Sequence, residues 1–336
     1  MKSIRLYGVR DLRLEEGPEP TPASDEVRVK VTEVGICGSD IHWFNEANMG
    51  ELDLSTPFIL GHEFAGEILS GSRRGERVAI DPAIPCGTCR FCLQGAPNHC
   101  LQLRFAGDGI TDGGLRERLA WPARCLIPLP DKLSSVEGAM LEPLGIALYA
   151  ADLSRLTPGA RVAVLGCGPI GLILIQLALR MGAIQVLATD RLAHRVKAAL
   201  DFGASCACQV GGHERDQELW EATLGEGCDV VFEVSGDPAA IHTSMAVASR
   251  GGQVILVGIP VEDRTTFRAS TARDKGLSLY EVRRSKNTTA RAIRLVEQGM
   301  IDVKTLVTHQ FSLSQYLEAF EHASRREGIK TIIKPG

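Results

Sequence analysis

The first part of the chain alternates between hydrophobic and polar positions. Residues 3–7 and 27–31 follow this pattern, and a proline-rich stretch at 17–22 separates them. Alternation with a period of two is typical of β-strands that are buried on one face. The pattern continues at 67–69 and 77–80 on either side of a Gly-Ser-Arg-Arg-Gly turn. These short strands and frequent Gly/Pro turns predict a compact β-rich domain.

After residue 160 the pattern changes to continuous apolar runs. Residues 161–165 are such a run, 166–171 form a glycine-rich turn, and 172–181 have the pattern of a helix. The arrangement recurs in apolar runs at 185–189, 229–234 and 252–258 and in a helical stretch at 238–249. Strands that alternate with helices predict a parallel, doubly wound sheet. The fold class is therefore α/β, with a Rossmann domain after the β-rich domain.

The tail from residue 295 offers two more helices and two more strands. A helix comes first, a strand at 307–311 follows, a second helix starts at Ser314, and residues 330–334 form a last strand. The total length of 336 residues is long for one core and favours two domains. We expect the Rossmann domain to cover residues 146–284.

Composition narrows the class of protein. The net charge of −4 gives no hint of nucleic-acid or membrane partners. Hydrophobic content of 44% is ordinary, and no apolar run approaches the roughly 20 residues of a membrane span. The N-terminus lacks the apolar segment of a signal peptide, so a cytoplasmic location is expected. In a chain of this size and location, the ten cysteines favour metal ligation over a disulfide framework.

One candidate metal site combines Cys37, His62 and Glu63. Taken singly, these residues are compatible with a buried cysteine, a core histidine and a surface glutamate. Together they supply thiolate, imidazole and carboxylate, the ligand types of a catalytic zinc that keeps one position open. His62 and Glu63 are neighbours, so both reach one metal only where the chain bends, and we expect Gly61 and Gly66 to permit that bend.

A second candidate metal site is formed by four cysteines. Cys86, Cys89, Cys92 and Cys100 have the spacing C-x2-C-x2-C-x7-C in a loop rich in Gly and Pro. A closed tetrahedral zinc fits this spacing, because the metal can order a loop with few apolar residues. An iron–sulfur cluster remains the main alternative, although the ferredoxin pattern continues with x3-C-P. Disulfides are a further alternative, which the expected compartment disfavours.

The glycine turn of the second domain predicts a dinucleotide site. Between a predicted strand and a predicted helix, its motif comprises Gly166, Gly168, Pro169, Ile170 and Gly171. The helix N-terminus would take the pyrophosphate, and the glycines would let the backbone come close.

The next strand ends at Asp190, whose carboxylate would accept hydrogen bonds from the adenosine ribose and select NAD. Arg191 and Arg195 leave an alternative open, since either could serve a phosphate or could be a solvated helix charge.

These motifs resemble those of the zinc-dependent medium-chain alcohol and polyol dehydrogenases. The resemblance rests on GICGSDIH at 35–42, GHEFAGEI at 61–68, the cysteine lobe, Glu142-Pro143-Leu144 and GCGPIG at 166–171. It runs nearly end to end and is strongest to the sorbitol dehydrogenase branch. It implies a GroES-like catalytic domain made of residues 1–145 and 285–336, together with a Rossmann NAD-binding domain. Two zinc ions per subunit, one catalytic and one structural, and a homo-oligomer (dimer or tetramer) are also implied.

The resemblance assigns further roles. It makes Glu63 a zinc ligand and places Glu142 beside the metal, where the residue is otherwise a glutamate at a helix start. It makes Ser39 and His42 a proton relay, although a lone histidine is more often a packed one. It aligns Arg284 with an arginine that closes the polyol pocket, yet Ser285 stands where an aromatic residue is expected. Without the alignment, Arg284 would belong to a solvated basic cluster.

The expected function is oxidation of a secondary alcohol in a polyol or sugar-derived substrate to a ketone, with hydride transfer to NAD. A threonine or simple alcohol dehydrogenase of the same family would share these features, but Ser39 and Glu142 favour the polyol branch. A non-catalytic zinc- and dinucleotide-binding protein is the alternative outside enzymology.

Overall fold

The structure is a computed structural model that describes residues 1–211 and 216–336. The chain divides into two compact units. The first comprises Met1–Gly145 and Lys286–Gly336, and the second comprises Ile146–Ser285. The second boundary differs by one residue from the position expected from the sequence.

The first unit is rich in short strands. They are β1 (Lys2–Gly8), β2 (Asp11–Glu16), β3 (Glu26–Gly35), β4 (Asn48–Met49), β5 (Leu52–Asp53), β6 (Phe58–Ile59), β7 (Glu63–Ile68), β8 (Arg77–Ile80), β9 (Ala83–Ile84), β10 (Arg104–Phe105), β11 (Arg118–Pro122), β12 (Leu126–Pro128), β19 (Val307–Ser312) and β20 (Lys330–Lys334). Its helices are α1 (Gly38–Glu46), α2 (Arg90–Leu93), α3 (Ser135–Ala139), α10 (Thr289–Glu297) and α11 (Tyr316–Ser324). Helix α4 (Leu141–Leu153) begins in the first unit and ends in the second.

A seven-stranded sheet organises the first unit. Its order is β12-β8-β7-β3-β20-β19, and β11 also pairs with β3. The C-terminal strand β20 runs antiparallel to β3, with Ile332 opposite Gly35 and Ile333 opposite Val34. The end of the chain is thereby brought back to the strand that leads into Cys37. Apolar side chains from the sheet and from α1 and α11 form one buried core.

The second unit is a parallel sheet with helices. Its strands are β13 (Arg161–Leu165), β14 (Gln185–Asp190), β15 (Cys206–Gln209), β16 (Cys228–Glu233), β17 (Ala248–Leu256) and β18 (Ser278–Glu281), and its other helices are α5 (Pro169–Arg180), α6 (Ala193–Asp201), α7 (Asp216–Ala222), α8 (Pro238–Val247) and α9 (Ala269–Lys275). The strand order is β15-β14-β13-β16-β17-β18, which is the doubly wound order of dinucleotide-binding domains.

Several element boundaries differ from the sequence-based expectation; the helix expected from residue 295, for example, is α10 and begins at Thr289. Helix α5 begins at Pro169 rather than at Leu172, because the fixed φ of proline suits the first helical position. Strand β17 begins at Ala248, inside the stretch expected to be helical, because Ala248 pairs with Cys228 before the register shifts. Among the described residues, no helix combines the length and apolar character that crossing a membrane requires.

Candidate metal and cofactor sites

The first candidate metal site lies where three elements of the first unit begin or end. Cys37 immediately precedes α1, His62 precedes β7, and Glu63 is the first residue of β7. One ligand atom from each of these residues lies within 4.8 Å of the other two. The donor set is that of a catalytic zinc with an open position. The three residues predicted as ligands are therefore brought together.

Gly61 provides the bend that lets His62 and Glu63 face the same point. Its φ is +94°, and a Cβ at this position would lie 2.8 Å from Val34. The role expected of Gly66 is wrong, because Gly66 lies inside β7 opposite Val31 and not at a bend. A side chain on Gly66 would collide with the carbonyl oxygen of Lys30, so close strand packing is what requires glycine there.

Asp40 is a site residue that the sequence reasoning missed. Its Oδ2 accepts the backbone N–H of Cys37 at 2.9 Å, and its Oδ1 accepts that of Gly61 at 3.0 Å. Oδ1 also lies 3.7 Å from Nδ1 of His62, and Asp40 is buried. A carboxylate in this position orients a metal-binding imidazole. Its place three residues after Cys37, in the first turn of α1, was the available signal.

Lys330 is the second residue that was missed. It is 3% exposed, donates a hydrogen bond from Nζ to the carbonyl oxygen of Ile36 at 3.0 Å, and forms an ion pair with Glu63. Its side chain and Glu63 fill the space above Gly35, where a Cβ would collide with both. No local motif marks Lys330, because it reaches the site through the pairing of β20 with β3.

The charges around His62 favour a cation. Burial alone lowers the pKa of His62, but the carboxylate of Asp40 and the thiol of Cys37 outweigh it and raise the pKa to about 10. The surroundings thus hold a positive charge on or beside the imidazole. A divalent metal between Cys37, His62 and Glu63 satisfies the same demand.

Glu142 lies in the first turn of α4. It is not one of the three clustered ligands, but it is close enough to interact electrostatically with His62 and Glu63. Loss of solvation raises the pKa of Glu142 to about 7, and the negative charge of Glu63 adds to that shift, while His62 and Lys330 oppose it. Its role at the metal, as a ligand or beside the metal-bound water, stays a prediction.

Ser39 and His42 lie one turn apart on α1. The Ser39 hydroxyl is 3.4 Å from Nε2 of His62, and Nε2 of His42 is 3.3 Å from Oδ1 of Asn48. The hydroxyl therefore lies at the cluster, and the imidazole lies one helical turn away beside an amide on β4. Their proton relay stays a prediction.

The four cysteines of the lobe also come together. Cys86, Cys89, Cys92 and Cys100 are free thiols whose sulfur atoms all lie within 4.8 Å of one another. The Cys86–Cys92 and Cys89–Cys92 sulfur pairs are 3.9 and 3.6 Å apart. Four sulfurs around one tetrahedral zinc at about 2.3 Å are about 3.8 Å apart. Hydrogen bonds from the N–H groups of Thr88 and Cys89 lower the pKa of Cys86 to about 6, which favours thiolate at that residue, whereas burial raises the pKa of Cys92 to about 12.

The glycine turn of the second unit has the geometry of a phosphate-binding loop. Gly166 has a φ of +106°, and a Cβ on Gly171 would collide with the carbonyl oxygen of Gly166. Gly168 is the N-cap of α5, and Pro169 and Ile170 occupy its first turn. The loop thus leads into the N-terminus of α5, where the first N–H groups of a helix have no partner within the helix and can bind a phosphate.

Asp190 is fixed at the end of β14. Its Oδ2 accepts the N–H of Cys167 at 2.8 Å and its Oδ1 accepts that of Leu192 at 2.9 Å, so the carboxylate is tied to the glycine turn. An Nη1 atom of Arg195 lies 3.6 Å from the point that a Cβ on Gly168 would occupy. Arg191 instead pairs with Asp237, at 3.1 Å.

Arg284 follows β18 in the second unit and is half-buried, whereas Arg283 is exposed. Arg284 and Asn287 have φ values of +55° and +53°, which are uncommon outside glycine. This unusual backbone distinguishes the segment from an ordinary basic helix start. Its role toward substrate stays a prediction.

Comparison with known proteins agrees with this chemistry. Residues 23–131 match the alcohol dehydrogenase GroES-like domain, and residues 169–298 match the zinc-binding dehydrogenase family. The chain is 34% identical to sorbitol dehydrogenase of Bacillus subtilis (strain 168), covering 100% of this chain and 97% of that protein. It is 36% identical to sorbitol dehydrogenase of Gallus gallus, covering 99% and 96%.

The solved structures that resemble this chain are also dehydrogenases. L-idonate 5-dehydrogenase from Escherichia coli K-12 superposes with a TM-score of 0.88 at 26% identity, covering 99% of this chain and 97% of that one. Galactitol-1-phosphate dehydrogenase from Escherichia coli superposes with a TM-score of 0.89 at 26% identity, covering 100% of both chains. An alcohol dehydrogenase from E. coli CFT073 complexed with NADH superposes with a TM-score of 0.90 at 29% identity, covering 99% of each.

We predict that substitutions at the two metal sites have different effects, one on activity and the other on stability. Cys37→Ser should abolish turnover and reduce the zinc content of the purified protein from two ions per subunit to one, because the four-cysteine site remains. Cys89→Ser should lower the thermal midpoint, since a closed zinc site contributes directly to folding. Elemental analysis measures the zinc content, and thermal denaturation measures the midpoint. Wild-type protein with one zinc, or with iron, would contradict the prediction.

We also predict that Lys330 stabilises the first unit through Glu63. Lys330→Met should lower the free energy of unfolding by about 3 kcal/mol, because it leaves a buried carboxylate without its partner. Lys330→Arg should recover part of the loss by restoring the charge. Lys334→Met, at an exposed position of the same strand, is the matched control. Urea denaturation that finds Lys330→Met as stable as Lys334→Met would refute the pairing.

Proposed function

The chain belongs to the zinc-binding dehydrogenases with a GroES-like alcohol dehydrogenase domain, and from that premise we propose that it oxidises a secondary alcohol of a polyol or sugar-derived substrate to a ketone. It is an oxidoreductase whose cofactors are zinc and NAD. The observation that carries the proposal is the convergence of Cys37, His62 and Glu63 in a chain that matches sorbitol dehydrogenases over its full length.

The residues of the first unit would hold the metal and handle the proton. Cys37, His62 and Glu63 would bind zinc, with Asp40 fixing the imidazole of His62. Zinc bound there supplies a Lewis acid that lowers the pKa of an alcohol hydroxyl. Ser39 would accept the hydroxyl proton, and the imidazole of His42 would deliver it toward solvent.

The residues of the second unit would hold the dinucleotide. The N-terminus of α5, at the end of the 166–171 turn, would bind the pyrophosphate, and Asp190 would accept the ribose hydroxyls. NAD bound there supplies the hydride acceptor. Glu142, which belongs to the first unit and interacts electrostatically with His62, would contact the substrate or its water at the metal.

Substrate choice within the family is assigned to Arg284. A guanidinium can donate two parallel hydrogen bonds to vicinal hydroxyls, or bind the carboxylate of a sugar acid with more charge assistance. Ser285, where the polyol branch carries an aromatic residue, would leave a roomier and more polar pocket. Sorbitol itself is therefore not assumed to be the preferred substrate.

Oligomeric state and location are two further properties that stay proposals. Members of the family favour a dimer or tetramer, so we infer a homo-oligomer. The cytoplasmic location expected from the sequence also stays a proposal.

The experiment that tests the function follows reduced nicotinamide by its absorbance while the purified protein is offered NAD and a panel of substrates. The panel contains hexitols, pentitols, sugar acids, sugar-alcohol phosphates, threonine and 2-butanol. Turnover of one or more polyhydroxylated substrates with the highest specificity constant is the expected result. Preference for threonine or 2-butanol would assign a different branch, and no turnover by protein that contains both zinc ions would favour the non-enzymatic alternative.

Arg284→Ala should lower the specificity constant for the best polyhydroxylated substrate by about 100-fold and that for 2-butanol by less than about threefold. Only the former leaves polar groups unpaired when the guanidinium is removed. Arg283→Ala, at the exposed neighbour, is the matched control and should change neither value. Equal losses of the specificity constant on both substrates, or no loss on either, would show that Arg284 does not contact the substrate.

A further inference from the structure

One ion pair of the second unit spans the end of the strand that carries the glycine turn. Arg191 follows β14 and Asp237 follows β16, and their side chains meet at 3.1 Å between Nη1 and Oδ2. In the sheet, β13 lies between these two strands. Neighbouring strands are about 4.8 Å apart, so the pair crosses roughly 10 Å over the end of β13. This crevice is where a doubly wound sheet binds its dinucleotide.

Asp237 is held in place from two sides. Its Oδ1 caps α8 by accepting the N–H of Ala239 at 2.9 Å, and its own N–H donates to the Ser235 hydroxyl at 3.1 Å. Its Oδ2 is left to face Arg191. The carboxylate therefore presents a fixed negative charge rather than a mobile one.

Arg191 is fixed at its backbone. Its carbonyl oxygen accepts a hydrogen bond from Nε2 of Gln209 at 3.0 Å. It stands directly after Asp190, and an arginine near that acidic residue is what accommodates the 2′-phosphate of NADP. Arg191 therefore has the chemistry to bind NADP, but its guanidinium is already engaged by Asp237.

We propose that Asp237 determines cofactor specificity by holding Arg191 across the end of β13 and away from a 2′-phosphate. Asp190 disfavours NADP by repulsion, and Asp237 disfavours it by engaging the guanidinium of the arginine that directly follows Asp190. The proposal deepens the proposed function, since it rests on a nicotinamide dinucleotide binding at this turn.

The pair is too exposed to be explained by stability. The side chains of Arg191 and Asp237 are 60% and 30% exposed, and exposed ion pairs contribute little to folding. Cofactor selectivity needs no net stabilisation of the fold, because it depends only on the difference between the binding free energies of NAD and NADP.

The test measures binding of NADH and NADPH directly, by fluorescence titration of the purified zinc-loaded protein without substrate. Asp237→Asn keeps an oxygen that can cap α8 but removes the charge. It should raise the affinity for NADPH relative to NADH by about fivefold, and the gain should shrink at high ionic strength. Arg191→Ala in the Asp237→Asn background should abolish the gain.

The matched control is Glu226→Gln, which removes the carboxylate of the Arg161–Glu226 ion pair in the same unit. It should leave the NADPH to NADH ratio at the wild-type value. An unchanged ratio in Asp237→Asn overturns the proposal, as does a gain that persists without Arg191. Because these titrations need no substrate, a protein that binds NADH but oxidises no polyol would contradict the proposed function and leave this inference standing.

Discussion

The first unit depends on holding a cluster of negative charge in its interior. Asp40 and Glu63 are each 1% exposed, and Cys37 lies beside them. Isolated charges at such positions would be strongly disfavoured. Lys330 neutralises the charge of Glu63. Burial raises the pKa of Asp40, because the interior disfavours a second negative charge. A divalent cation among the ligands matches the charge that Lys330 leaves uncompensated.

That requirement explains why the catalytic unit is discontinuous. The lysine comes from the end of the chain, and the strand that carries it must pair beside β3 to bring Nζ against Glu63. Gly35 lies directly beneath the two side chains and cannot carry a Cβ. Removal of the last strand should therefore disturb Glu63, a predicted metal ligand, even though none of the predicted ligands lies in that strand.

Local motifs could be predicted from the sequence, and long-range partners could not. Cys37, His62, Glu63 and the four-cysteine lobe carry their chemistry in short spacings, and the glycine turn is recognised between a strand and a helix. Lys330 has no such context, because its role arises from register between strands far apart in sequence. Gly66 was misread since a glycine required by close packing looks, in sequence, like one required by a turn.

The loops of both units are held by the same kind of hydrogen bond. In each case a buried carboxylate accepts backbone N–H groups of a turn that contains a glycine with positive φ: Asp40 binds Gly61, Asp190 binds Cys167 beside Gly166, and Glu233 binds Gly236. Hydrogen bonds to an ionised acceptor are stronger than neutral ones, so they offset the conformational entropy that glycine loses on folding. An amide side chain could keep the geometry but would lose that added strength. The same carboxylates then remain available, at Asp40 to orient an imidazole and at Asp190 to receive a ribose, because a carboxylate oxygen has a second lone pair to share. Loop rigidity and site chemistry therefore depend on the same residues, and a substitution at one of them should affect both.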